Sequence, residues 1–119
     1  MSKTILVVED EIFVRLDISD YLRDSGFSVL EASNAREAIA VLERKGPIDL
    51  VFTDVKMPGE MDGIALARFL KTKYPHIKVL VTSGHVRTSE LLQDFGSLID
   101  KPYERGRIVE RIRNALSID

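Results

Sequence analysis

Acidic side chains follow two of the most apolar segments of this chain. Glu9 and Asp10 come directly after Thr4–Val8, and Asp54 follows the segment Leu50–Thr53. Carboxylates that meet in one pocket repel one another unless a cation joins them. Oxygen ligands without cysteine or histidine favour a hard ion, and Mg²⁺ is the natural choice. The first chemistry that these residues suggest is therefore that of a carboxylate magnesium site.

Two further polar side chains stand at equivalent places later in the chain. Ser83 follows the apolar segment Ile77–Thr82, and Lys101 comes shortly after Ser97–Ile99. Together with the acids they supply a carboxylate nucleophile, a metal site, a hydroxyl donor and a cation. Phosphoryl transfer needs mainly such positioning and charge neutralisation. The joint pattern predicts a phosphoryl-transfer site with a carboxylate nucleophile.

Each of these residues also has a purely structural interpretation. Asp54 could begin a turn or cap the next helix. Acids at Glu9 and Asp10 are favourable near a helix N-terminus, and we assign Glu11 to that role alone. Lys101 before Pro102 could be an ordinary surface lysine. Function is favoured by the ordered combination and not by any single residue.

The elements that must position these residues are five short apolar segments that alternate with helical patterns. The first, third and fourth are nearly continuous apolar runs, typical of buried strands, whereas the second is half polar and the fifth very short. The predicted strands are Thr4–Val8, Phe27–Ala32, Leu50–Thr53, Ile77–Thr82 and Ser97–Ile99.

Helical periodicity fills the intervals between the predicted strands. The first helix ends at Gly26, the second begins after the N-cap Asn34, and the third ends at Pro75. A short polar helix is predicted over residues 87–94. The last helix is amphipathic, with one apolar face made by Ile108, Ile112, Ala115 and Leu116.

This alternation predicts an α/β fold in which a parallel sheet lies between two layers of helices. The most apolar strands belong in the middle, which gives the order 2-1-3-4-5 of a flavodoxin-like (βα)5 three-layer sandwich. Its topological switch point lies between strands one and three, where Glu9, Asp10 and Asp54 would meet.

Composition excludes several classes of function. The 119 residues predict one domain over 1–119, and a net charge of −2 argues against a nucleic-acid or anionic-membrane surface. The absence of cysteine excludes thiol catalysis and disulfides. No apolar segment approaches the roughly 20 residues of a membrane span, and no signal-peptide pattern is present. We therefore expect a cytoplasmic protein that binds neither nucleic acid nor membrane.

Four motifs in this order resemble the receiver domain of bacterial two-component response regulators. They are VVED (7–10), TDVKMPGEMDG (53–63), VTSG (81–84) and DKPY (100–103). The resemblance covers essentially the whole chain. It implies a phosphorylation-activated signalling switch in which Asp54 takes a phosphoryl group from the phosphohistidine of a sensor histidine kinase or histidine phosphotransfer protein.

The resemblance also implies how the remaining site residues act. Asp10, Asp54 and the backbone carbonyl of Lys56 would bind Mg²⁺ directly, and Glu9 would act through water. Ser83 would donate a hydrogen bond to one phosphoryl oxygen, whereas Lys101 would pair with another.

The sequence departs from the family pattern at four places. Glu9 stands where an aspartate is usual, and the loop after Met57-Pro58 is one residue longer. The segment between Ser83 and Lys101 is shorter than usual, so the predicted fourth helix should be short or distorted. Leu98 replaces the usual switch aromatic.

Other classes of function remain as alternatives. A magnesium-dependent phosphohydrolase with an aspartyl-phosphate intermediate usually has a second acid at the position of Lys56, and a flavodoxin needs a phosphate-binding loop where Glu9 and Asp10 stand. An unphosphorylated interaction module would not need the site.

We expect no turnover enzyme and, because the chain ends soon after its last helix, no output domain. The signal would leave by protein contact through the surface made by the predicted fourth helix, the fifth strand and the last helix.

Overall fold

The central sheet has the predicted strand order. A computed structural model describes residues 2–44, 46–54, 59, 61–83, 97–100 and 105–117. Within these ranges the strands are all parallel and lie in the order β2-β1-β3-β4-β5. Their bounds are β1 Thr4–Val8, β2 Ser28–Ala32, β3 Leu50–Asp54, β4 Lys78–Ser83 and β5 Ser97–Asp100.

Helices cover both faces of this sheet and confirm the three-layer architecture. The described helices are α1 (Ile12–Asp24), α2 (Ala35–Arg44), α3 (Gly63–Lys73) and the last helix (Arg105–Ala115). The predicted helix over residues 87–94 lies outside the described residues. Among the described helices, none combines the length and the apolar character needed to cross a bilayer.

The buried apolar residues form one cluster on each face because side chains alternate along a strand. Val7 and Phe52 point to the face covered by α1 and the last helix, and pack with Leu22 and Ile112. On the other face the core is made with α2 and α3 by Leu6, Val8, Val51, Ala38, Leu66 and Leu70. The continuous apolar runs of β1 and β3 are explained by this burial on both sides.

Two predicted strand starts shift by one residue, for the same physical reason. Phe27 donates its N–H to the carbonyl oxygen of Leu22 at 3.1 Å, and Ile77 donates to Tyr74 at 3.0 Å. The Phe27 amide therefore closes the end of α1, and the Ile77 amide closes the turn after α3, so both strands begin one residue later. At the other end β3 extends to Asp54, which pairs in register with Thr82.

The start of α2 is fixed by a reciprocal cap, as Asn34 predicts. The Asn34 side chain accepts a hydrogen bond from the N–H of Glu37 at 2.8 Å. The Glu37 carboxylate in turn accepts from the Ser33 hydroxyl at 2.7 Å and the Ser33 N–H at 3.1 Å. The Asn34 side chain thus satisfies one backbone donor that the first turn of the helix leaves unpaired, and Glu37 ties the preceding residue to the same turn.

Replacing Asn34 by alanine is expected to lower the free energy of unfolding by about 1 kcal/mol, because one capping acceptor is lost. Urea unfolding of Asn34→Ala and Asn34→Asp measures the effect. The aspartate variant keeps an acceptor and should unfold near wild type, and equal losses in both would contradict the capping role.

The same cap predicts a small pH dependence. Hydrogen bonds from the Ser33 hydroxyl, and then from its N–H, hold the pKa of Glu37 below its ordinary value of 4.5. The stability contributed by the lowered pKa is therefore present above pH 4.5 and is lost as pH falls through the folded-state value. Thermal melts of wild type and Glu37→Gln across this range should converge at low pH; a constant difference would contradict this linkage. Because Glu37 is exposed, solvent screening keeps the difference small.

Candidate functional site

The three acids predicted to form the metal site converge at the carboxyl ends of β1 and β3. Val8 and Thr53 are register partners, so the residues that follow them lie side by side. Glu9, Asp10 and Asp54 each offer a carboxylate oxygen, and these oxygens all lie within 4.8 Å of one another. The predicted meeting of the acids at the switch point is confirmed.

The three acids differ in exposure. Glu9 is only 4% exposed, Asp10 is exposed and Asp54 lies between them. A buried carboxylate needs hydrogen-bond donors, and Glu9 accepts one from the N–H of Glu11 at 3.2 Å. The site therefore has a fixed, buried side at Glu9 and an open side at Asp10.

The donor chemistry of this cluster fits a hard divalent cation. Two oxygens bound to one Mg²⁺ are at most about 4.2 Å apart, twice the usual metal–oxygen distance. The observed limit of 4.8 Å exceeds this by little, so small side-chain rotations bring the oxygens into range. An oxygen-only set disfavours softer transition metals.

The strand next to Asp54 brings a second group of predicted residues to the same edge. Asp54 pairs with Thr82, and Ser83 is the following and last residue of β4. Ser83 in turn pairs with Asp100 at the end of β5. The backbone thus places Ser83 beside the Asp54 position, while Lys56 and Lys101 lie outside the described residues.

One acid of the motif around Asp54 has a structural role. Asp62 precedes α3, and its carboxylate accepts a hydrogen bond from the N–H of Ala65 at 2.9 Å. This is an N-cap, so Asp62 helps to begin the helix that follows the loop.

Sequence reasoning missed Arg15. Its Nη1 donates to the backbone carbonyl of Glu9 at 2.9 Å, and its Nε donates to the Glu31 carboxylate at 3.3 Å. The available signal was its place in the sequence: Arg15 is a charged residue beside the apolar face of α1, about one helical turn after the acids. Glu31 lies in β2, whose half-polar sequence is explained by its edge position alone unless the contact with Arg15 is known.

Comparison with known proteins agrees with this arrangement. The family model described as "Response regulator receiver domain" matches residues 5–113. The chemotaxis protein CheY of Bacillus subtilis is 32% identical over 98% of this chain and 100% of its own length. A response regulator receiver domain protein (CheY-like) from Methanospirillum hungatei has a crystal structure that superposes with a TM-score of 0.89. It is 26% identical and the match covers 98% of this chain and 95% of that one.

Other relatives are much longer than the matched region. A putative NtrX-like response regulator of Rickettsia bellii is 31% identical over 96% of this chain but only 25% of its own length. The chain therefore spans about a quarter of the length of such relatives. The shared part is the domain that carries the acidic cluster, and the family model extends from β1 into the last helix. With the strand order, the clustered acids and this match in agreement, the chain belongs to the response regulator receiver domain family.

Proposed function

We propose that this receiver domain is switched by phosphorylation of Asp54. The observation that carries the proposal is the convergence of Asp54 with Glu9 and Asp10 within 4.8 Å. Asp54 ends β3 and is partly exposed, so a phosphodonor can reach its carboxylate. An Asp54 oxygen forms a bond to phosphorus as the bond between phosphorus and the donor nitrogen breaks, and the donor imidazole leaves.

We assign the cation at this site as Mg²⁺, which supplies charge neutralisation for the phosphoryl oxygens when bound. Asp10 and Asp54 would hold it directly, with the backbone carbonyl of Lys56, and Glu9 would act through water. The burial of Glu9 and the exposure of Asp10 support this division, because the buried carboxylate is already engaged by Glu11.

Two further residues would hold the transferred group. The hydroxyl of Ser83 donates to one phosphoryl oxygen, and the ammonium of Lys101 pairs with another. The position of Ser83 at the end of β4, beside the Asp54 strand, supports its part in this proposal.

The proposed partners follow from the same chemistry. The donor is a sensor histidine kinase or a histidine phosphotransfer protein, and the signal passes to a protein target. The target would contact the surface made by the predicted fourth helix, β5 and the last helix. In this role the domain catalyses only its own phosphorylation and dephosphorylation.

Acetyl phosphate and a generic phosphomonoester together test this function. With Mg²⁺ and acetyl phosphate, intact mass should rise by one phosphoryl group, and chelation of Mg²⁺ should prevent the gain. With p-nitrophenyl phosphate, no release beyond one equivalent is expected. Sustained turnover of the phosphomonoester would favour the phosphohydrolase instead.

A further inference from the structure

We propose that Arg15 is a positioning residue for the acidic cluster and sets its affinity for the cation. The inference rests on the proposed function for the identity of the cation, but its geometry stands alone. The guanidinium of Arg15 donates to the carbonyl oxygen of Glu9 at 2.9 Å and to Glu31 at 3.3 Å. It thereby ties the first acid of the site to the edge strand β2.

Glu9 is held at both of its backbone groups. Its N–H donates to the carbonyl of Ala32 at 3.0 Å, which continues the β1–β2 pairing by one residue. Its carbonyl has left the strand and is fixed by Arg15. Because Asp10 follows that carbonyl, the orientation of this peptide decides where the Asp10 carboxylate lies.

The contact is well placed to be rigid. The side chains of Arg15 and Glu31 are only 16% and 24% exposed, so water screens their ion pair less than a surface pair. The other Glu31 oxygen accepts from Arg23 at 3.1 Å. A planar guanidinium can serve two acceptors in fixed directions, whereas a lysine ammonium is a single flexible point charge.

Removal of Arg15 changes Mg²⁺ affinity in two opposite ways, one through the lost charge and one through the lost hydrogen bond to Glu9. A cationic side chain near the acids disfavours a second cation, so loss of its charge alone would tighten Mg²⁺ binding. Loss of the hydrogen bond from Arg15 frees the Glu9 carbonyl, so the Asp10 carboxylate is held less firmly and Mg²⁺ binding weakens. We expect the loss of position to dominate, because the guanidinium contacts the backbone of Glu9 directly, at 2.9 Å.

Arg23 provides the matched control. It lies on the same helix and contacts the same Glu31, and it also donates to the carbonyl of Val29 at 3.3 Å. The guanidinium of Arg23 contacts Asp20, Val29 and Glu31, and none of these three residues belongs to the acidic cluster. Arg23→Met therefore removes an arginine from the network without touching Glu9.

Isothermal titration with Mg²⁺ tests the inference. Arg15→Met should raise Kd about tenfold, as loss of residues that orient metal ligands does elsewhere. Arg15→Lys should recover only part of the affinity, and Arg23→Met should bind as wild type. An unchanged or lower Kd for Arg15→Met, or an equal rise in Arg23→Met, would overturn the proposal.

A second measurement needs no metal. In EDTA, the amide of Glu11, which donates to the Glu9 carboxylate, should exchange its hydrogen faster in Arg15→Met than in wild type or Arg23→Met. If Arg15→Met does not fold, Glu31→Gln tests the same contact and should weaken Mg²⁺ binding and speed this exchange in the same directions. If wild type does not bind Mg²⁺, the proposed cation site is refuted. If the Glu11 amide exchanges at the same rate in Arg15→Met as in wild type, the positioning role of Arg15 is refuted.

Discussion

The Asp54→Asn variant is expected to take up no phosphoryl group, and to melt at a higher temperature than wild type when divalent cations are absent. The first effect follows because an amide is not a nucleophile for phosphorus at neutral pH. The second follows from the three acids whose oxygens lie within 4.8 Å. Two like charges about 4 Å apart repel by about 1 kcal/mol in water and about 4 kcal/mol at a dielectric constant of 20.

Because Asp54 is partly exposed, we expect a gain near the lower figure. A gain of about 1 kcal/mol raises Tm by about 4 °C in a domain of this size. Mass spectrometry after treatment with acetyl phosphate, and thermal melts in EDTA, measure the two effects.

Asp10→Asn is the matched control for this prediction. It removes one charge from the same cluster but keeps the proposed nucleophile, so it should show some stabilisation in EDTA and slower phosphorylation. A mass gain that persists in Asp54→Asn would place the phosphoacceptor elsewhere. A melting temperature below wild type in EDTA would contradict the repulsion between the acids.

The largest expected change in stability is at Phe52, below the site. Its ring is 2% exposed and lies between the register partners Val7 and Leu80 in the middle of the sheet. Truncation of a buried phenylalanine to alanine costs about 3–5 kcal/mol, because apolar contacts are lost and a cavity remains. The total stability of such a domain is about 5–15 kcal/mol, so Phe52→Ala should be marginally folded.

Urea unfolding of Phe52→Ala beside Phe69→Ala checks this expectation. Phe69 is a half-buried phenylalanine on α3 that stacks against Tyr74, with ring centroids 6.2 Å apart. Its removal should cost clearly less, since its ring already contacts water. Similar losses in the two variants would show that Phe52 is not in a tightly packed environment.

The strand order and the acidic cluster were predictable because both depend on short-range patterns. Continuous apolar runs mark β1 and β3 as central, and the parallel topology then brings Glu9, Asp10 and Asp54 to one edge. No knowledge of side-chain conformation is needed for that step. Helix ends were predictable where capping chemistry is local, as at Asn34.

The contact of Arg15 with Glu31 could not be predicted in the same way. It joins two residues on different elements, and it depends on how far a long side chain reaches over β2. Neither helical nor strand periodicity encodes that distance. The one-residue shifts at Phe27 and Ile77 have a related cause, since each amide bonds a carbonyl that precedes it in the chain and not the neighbouring strand, and strand periodicity does not encode that choice.

The hydrogen bond from Arg23 to Val29 has a consequence for the tendency of the protein to aggregate. Ser28 donates its N–H to Lys3, towards the sheet, so the next residue of the edge strand, Val29, turns its backbone groups outward. An outward carbonyl on an edge strand is a place where a foreign strand can pair and begin aggregation. The guanidinium of Arg23 already occupies this acceptor and brings a positive charge to the edge. A second chain would have to displace the Arg23 guanidinium before adding a strand there, so we expect Arg23 to oppose edge-to-edge aggregation.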